Sequence, residues 1–312
     1  MKRKYLFFLI AAAMILTIEP TISFAAADTV EVSRGMSCTK DTTDADINEW
    51  AEGAATIEAN DDGTYTVTLK KNISITSAVT PITFGVYNDG PDQSMIILDL
   101  NGYTVSSVTT VLCNYGNLTI KDSVGTGKVV YTGGKYLCAV QCAGYDTIIN
   151  AGTFECQGAG SATYNAAVNV TYGMSNLIVN GGTFEGNNAG AIIAYGKVTI
   201  NGGEIYGAYG VVSKTNTSQN GAGQITFPTD STAVINADKI AFVIHAAGEL
   251  QGQIYAQGGT FNAPAVAGSL GNADPQTAIS ATGGVYSADP TSFVKNNETV
   301  AQFTAQSSTF YT

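Results

Sequence analysis

One short pattern recurs down this 312-residue chain and constrains its fold more than any other feature. An apolar–x–apolar triplet is followed by a polar residue, usually Asn, then small residues, then another apolar one. The clearest copies run Thr147-Ile148-Ile149-Asn150-Ala151-Gly152-Thr153-Phe154, Leu177-Ile178-Val179-Asn180-Gly181-Gly182-Thr183-Phe184 and Val198-Thr199-Ile200-Asn201-Gly202-Gly203-Glu204-Ile205. Others begin at Leu98, Leu118, Ala233, Ile254 and Ile279. The position after the triplet gives a ruler: Asn101, Lys121, Asn150, Asn180, Asn201, Asn236, Gln257 and Thr282, spaced by 20 to 35 residues. Alternation sends one side chain inward and the next outward, as in a strand. A repeat this short cannot bury its apolar face except against the next copy.

These facts predict an all-β protein, a right-handed parallel β-helix (β-solenoid), over residues 61–290. Coils stacked about 4.8 Å apart turn equivalent residues into columns. Asn101, Asn150, Asn180, Asn201 and Asn236 are expected to form a side-chain ladder, and the glycine after them to allow a corner at positive φ. Four residues on, Val105, Phe154, Phe184, Ile205, Ile240, Phe261 and Tyr286 are expected to stack in the core. Leucine-rich repeats share the period but need a Leu-rich helical half, which is missing here. Residues 27–60 read as an irregular N-terminal cap with a short helix and Trp50 as its plug. Residues 291–312 read as a C-terminal cap or tail, and 213–231 as the longest insertion.

The start of the chain reads as an export signal, residues 1–26. Lys2, Arg3 and Lys4 precede an apolar run from Leu6 to Ile18, and small residues follow at Ser23–Ala27. The run is shorter than the roughly twenty residues a membrane span needs, so the expectation is a secreted protein with no membrane insertion after signal removal. The whole chain holds 14 basic and 25 acidic residues; removing three basic residues and Glu19 leaves 11 and 24, a net charge of −13. One Arg, Arg34, and one His, His245, remain. Phosphate recognition leans on Arg and Lys, which argues against nucleic acid as a partner.

The runs Leu98–Tyr103 and Asn117–Ser123, with the Asn-Gly-Gly-Thr-Phe copies, resemble secreted bacterial surface proteins of the pectin-lyase-like superfamily. The resemblance covers about residues 60–290 and implies the right-handed β-helix. That fold hosts lyases, hydrolases, adhesins and phage-type binding proteins. The catalytic sets of its enzymes do not map onto this chain. Arg34 precedes the coils, so no Arg can be the lyase base, and Lys121 and Lys197 sit at ordinary outward positions. The hydrolase pattern fails too: the only Asp-Asp is 61–62, His245 is not between glycines, and no Arg-x-Lys occurs.

Three column features remain as candidates. Glu155 and Glu185 each follow a core Phe and are expected as outward neighbours on adjacent coils, with Glu204 close by. Such carboxylates could serve glycoside hydrolysis or hold Ca²⁺, the one ion the sequence suggests; no other cofactor is expected. Tyr115, Tyr172 and Tyr195 precede three inward strands and are expected to form a stripe suited to sugar rings. Cys113 and Cys142 are expected to stack, while pairing among Cys38, Cys113, Cys138, Cys142 and Cys156 stays open. The mixed outward column Asp99, Thr119, Ile148, Ile178, Thr199, Val234, Tyr255 and Ser280 argues against an ice-binding array. The leading expectation is a non-enzymatic, secreted or cell-surface, adhesin-like β-helix that binds glycans or a cell surface. The alternatives are a polysaccharide lyase or glycoside hydrolase with an unfamiliar acidic site, and a purely structural layer component.

Overall fold

The computed structural model describes residues 28–312 except 78–79, 87–94, 135–136, 159–164, 217–220, 248, 296–298 and 306–307. The segment 1–26, expected as an export signal, lies outside the described residues. The chain is an all-β right-handed parallel β-helix whose three faces wrap one core.

Each full coil visits the faces in order. Sheet I stacks Tyr65–Leu69, Met95–Asp99, Asn117–Lys121, Asp146–Ile149, Asn176–Val179, Lys197–Ile200, Gln224–Phe227, Gln253–Ala256 and Ile279–Ala281, all parallel. Sheet II runs from Thr29–Val32 through Asn72–Ile75, Thr104–Ser107, Lys128–Tyr131, Thr153–Cys156 and Thr183–Glu185 to Thr260–Asn262 and Val285–Tyr286. Sheet III runs from Ser37–Cys38 through Ile82–Phe84, Leu112–Asn114, Cys138–Cys142, Ala166–Val170 and Gly190–Ala194 to Ala265–Gly271. Two long strands, Glu204–Ser213 and Val234–Ala247, serve sheets II and III without a break, their mutual register slipping between Gly207 and Tyr209.

The segment 27–60, expected as an irregular cap, supplies the first strands of sheets II and III and helix α1 (Asp44–Ala51). A capping box starts α1: the Thr43 hydroxyl accepts from the Asp46 N–H, and Asp46 accepts from the Thr43 N–H. Ala55–Ala59 then pairs antiparallel with Tyr65–Leu69. At the other end, Gln302–Ala305 and Ser308–Tyr311 form a hairpin that meets the last sheet II strand at Tyr286.

The core column is Ile73, Val105, Val129, Phe154, Phe184, Ile205, Ile235, Phe261 and Tyr286. Phe154 and Phe184 stack with ring centroids 5.2 Å apart and planes 11° apart. Ile240, expected here, is displaced by Ile235; it pairs instead with Tyr209 and Ala265 on sheet III, only partly buried.

The Asn column is shorter than the ruler suggested. Asn180 donates to Asn150 at 2.8 Å, and Asn201 donates to Asn180 at 2.8 Å. Asn101 is not a rung. Lys121 pairs with Asp99, joined by a 3.4 Å ion pair, while Asn101 turns the corner at φ 47° and donates to the Leu69 carbonyl. Asn236 is not a rung either: it lies on sheet II between Tyr206 and Asn262. The true sheet I strand of that coil is Gln224–Phe227, inside the stretch expected as an insertion; Ile225 and Phe227 are fully buried there. The corner glycines also divide their work differently. Gly182 and Gly203 take positive φ, 99° and 98°. The first glycine, Gly181 or Gly202, instead lies so close to the coil below that a Cβ would come 2.6 Å from the Asn150 or Asn180 carbonyl.

Candidate ligand-binding face

Sheet I presents three parallel rows outward, because each strand is short and adjacent coils are in register. The first row is Asn117, Asp146, Asn176, Lys197, Gln224 and Gln253. Within it, Asn176 donates to Asp146 at 3.2 Å. The middle row is Ile97, Thr119, Ile148, Ile178, Thr199, Thr226, Tyr255 and Ser280, all half-buried. Ile97 and Thr226 therefore replace Asp99 and Val234 of the expected outward column, while the row stays mixed. The third row holds the Asp99–Lys121 pair and the Asn150–Asn180–Asn201 ladder. A mixed row with apolar Ile148 and Ile178 at its centre thus runs between two rows rich in amides and charges, which suits a ligand with apolar faces and hydroxyl edges.

The turn from sheet III into sheet I carries a Tyr on four consecutive coils: Tyr115, Tyr145, Tyr172 and Tyr195. All four are half-buried. They do not form one column. Asn114, Cys142, Val170 and Ala194 are in register, so Tyr115 and Tyr195 take the first turn position, Tyr172 the second and Tyr145 the third. The result is a staggered edge beside the first row of sheet I.

The same turn position continues into Lys214 and His245, because Ala194, Ser213 and Ile244 are in register. Lys214 is 4% exposed, and its Nζ lies 5.0 Å from the centre of the Tyr195 ring. Burial lowers the Lys214 pKa to about 8. His245 shares a 3.0 Å hydrogen bond between its Nδ1 and the Thr215 hydroxyl; burial, then the Lys214 charge, pulls its pKa down. Two hairpins flank this cluster, Thr215–Asn216 with Gly221–Ala222, and Ala246–Ala247 with Leu250–Gln251.

Glu155 and Glu185 are direct neighbours on the outer side of sheet II, between Val130 and Tyr206. Their environments differ. Glu155 is 8% exposed and accepts from Lys128 at 2.5 Å and from Gln157 at 2.9 Å. Burial alone would raise its pKa, but these two donors outweigh it and hold the carboxyl below its usual value. Glu185 is exposed. Glu204 sits in the neighbouring column, paired with Thr183, and accepts from the Tyr206 hydroxyl at 2.5 Å. Among the described residues no group of three or more His, Cys, Asp or Glu is gathered to hold a metal ion.

All five cysteines are free and buried. Cys142 pairs with Asn114, and Gln141 with Cys113, so the expected Cys113–Cys142 stack is off by one residue. Burial pushes the Cys113 and Cys156 thiols up to about 11 and those of Cys38 and Cys142 to about 12, a state in which a thiol is inert.

Sequence reasoning missed Tyr145, Lys214 and His245. Tyr145 follows Ala143-Gly144 rather than preceding a glycine, so it escaped the Tyr-Gly pattern. Lys214 falls in a stretch read as insertion, and only register reveals that it stacks with Tyr195.

The chain matches no family model, no curated protein and no solved structure. The fold and its surface rows alone define it as a β-solenoid.

Proposed function

We propose that this protein is a secreted or cell-surface β-helix of the pectin-lyase-like kind that binds a glycan along sheet I, without catalysing its cleavage. The observation that carries this reading is the tyrosine edge on four consecutive coils beside a face where polar rows flank a mixed row centred on Ile148 and Ile178. Aromatic rings match the apolar faces of sugars, and amide rows match their hydroxyls. A linear polymer would lie along the solenoid axis, meeting one row element per coil. The acidic balance of the chain favours neutral or basic sugars over strongly anionic ones.

A glycan array with the full mature chain tests the reading. We expect retention of a defined set of glycans, with loss of about tenfold or more in affinity when Tyr145 and Tyr172 are both replaced by Ala. Unchanged binding in that double variant would remove the tyrosine edge from the reading. The direct Glu155–Glu185 pairing favours one second reading, a glycoside hydrolase. Glycosidases act through two neighbouring carboxyl groups. Release of reducing ends by the native chain, absent in Glu185→Gln, would favour it over the binding role.

A further inference from the structure

At the N-terminal end of the solenoid lies a groove of about 540 Å³, lined by no residue of the three rows or of the tyrosine edge, the size of a small-ligand pocket. One wall is the turn Val32–Ser37 between the first strands of sheets II and III. The other is the side of α1 that carries Asp46, Glu49 and Trp50. The groove therefore brings together the only Trp of the chain and the only Arg after residue 26, Arg34.

Its walls are held in place by the protein alone. The Trp50 indole N–H donates to the Arg34 carbonyl at 2.7 Å, tying helix to turn. Gly35 is buried where a Cβ would come 2.1 Å from the Pro81 carbonyl, so the turn is pressed against the next coil. Asp46 is engaged in the capping box of α1. Such preorganisation lowers the entropy cost of binding.

The two charged side chains left over are the telling ones. Arg34 and Glu49 are both exposed, and among the described residues neither joins an ion pair. Opposite charges line one groove without neutralising each other. A purely anionic ligand would meet Glu49 and Asp46, and a purely cationic one would meet Arg34. A ligand carrying both signs satisfies both walls, with guanidinium–carboxylate bonding at Arg34 and an ammonium–carboxylate pair at Glu49, the Trp50 indole lining the groove between helix and turn. We propose that this groove binds a short zwitterionic peptide, its free carboxylate at Arg34 and its free ammonium at Glu49 and Trp50.

Because Trp50 is the only Trp, its fluorescence reports on this groove alone. The test is a titration of the full mature chain with triglycine, and with triglycine blocked at both ends by acetyl and amide groups. We expect a saturable change with triglycine, at least about tenfold weaker for the blocked peptide. Arg34→Gln and Glu49→Gln should each weaken triglycine about fivefold or more, with an unchanged thermal melt, since both side chains are exposed. No saturable change at peptide concentrations up to tens of millimolar would overturn the proposal. So would equal binding of the blocked peptide, or full affinity in both variants. Replacing Tyr145 and Tyr172 should leave this titration unchanged, so the groove and the glycan face stand or fall separately.

Discussion

The coils between Asp146 and Ile205 and those between Glu204 and Asn262 solve the same problem with different parts. In the first set, each passage from sheet I to sheet II is marked by Asn, two small residues and a Phe or Ile, and a side-chain ladder joins the rungs. In the second set, Pro228 and Gln257 follow the sheet I strands instead of Asn, and two long strands run through the corner between sheets II and III. Yet the interior is equally closed: Phe227, Phe242 and Phe261 meet edge to face or tilted at 4.8 to 5.8 Å. The ladder is thus an ornament of the fold, whereas the inward aromatic column is its support. Area explains this. A buried aromatic side chain removes 150–250 Å² from water, while an exposed amide bond such as those of the ladder nets about 1 kcal/mol at most.

That comparison can be broken or sharpened by substitution. The largest effect belongs to the core. Phe184→Ala in the first set and Phe227→Ala in the second should each cost about 3–5 kcal/mol, read by urea unfolding; both side chains are fully buried. Equal costs would support one continuous core, and a cost below about 1 kcal/mol at Phe227 would mean that the second set closes by other means. Next comes the buried amine of the second set. Folding depresses the Lys214 pKa to about 8, below the ordinary value near 10.4. The unfolded chain therefore binds more protons at this site between these values, so the Lys214 contribution to stability should rise as pH climbs from about 8 to 10, by on the order of 2–3 kcal/mol, against the opposite contribution of the buried thiols. Lys214→Met isolates it: the stability gained by the variant over the native chain in thermal melts should shrink as pH climbs through the same range. The smallest effect is Asn180→Ala, which breaks both ladder bonds of the middle rung. About 1–2 kcal/mol is expected, and a loss as large as that of Phe184→Ala would contradict the ranking of column over ladder.

The same contrast explains what was legible. The Asn-Gly-Gly copies identified the fold class and placed Phe154, Phe184 and Phe261 in one core column, because backbone corner and inward side chain are coded within eight neighbouring residues. Where the corner lacks Asn, the pattern misleads. Gln224-Ile225-Thr226-Phe227 ends at a Pro, so Asn236 looked like the rung and Ile240 like its core partner, one sheet away from their real places. Asn101 failed similarly, as an Asn at a corner that sits two residues past its column. Of the candidate surface, the adjacency of Glu155 and Glu185 was readable, since both follow a core Phe. The grouping of Tyr195, Lys214 and His245 was not, because their separations are 19 and 31 residues, the longer one containing the hairpin of Thr215–Asn216 with Gly221–Ala222.

By itself the sequence determined that the chain is a stacked solenoid: strict alternation and a repeat too short to close its own core leave no other way to bury these apolar residues. Only the tertiary structure decided the register, and with it the surface. A shift of one or two residues at a corner leaves composition and period intact but moves a side chain to another column. Whether Cys142 faces Cys113 or Asn114, and whether Lys214 meets Tyr195, is settled by how each loop returns to the stack.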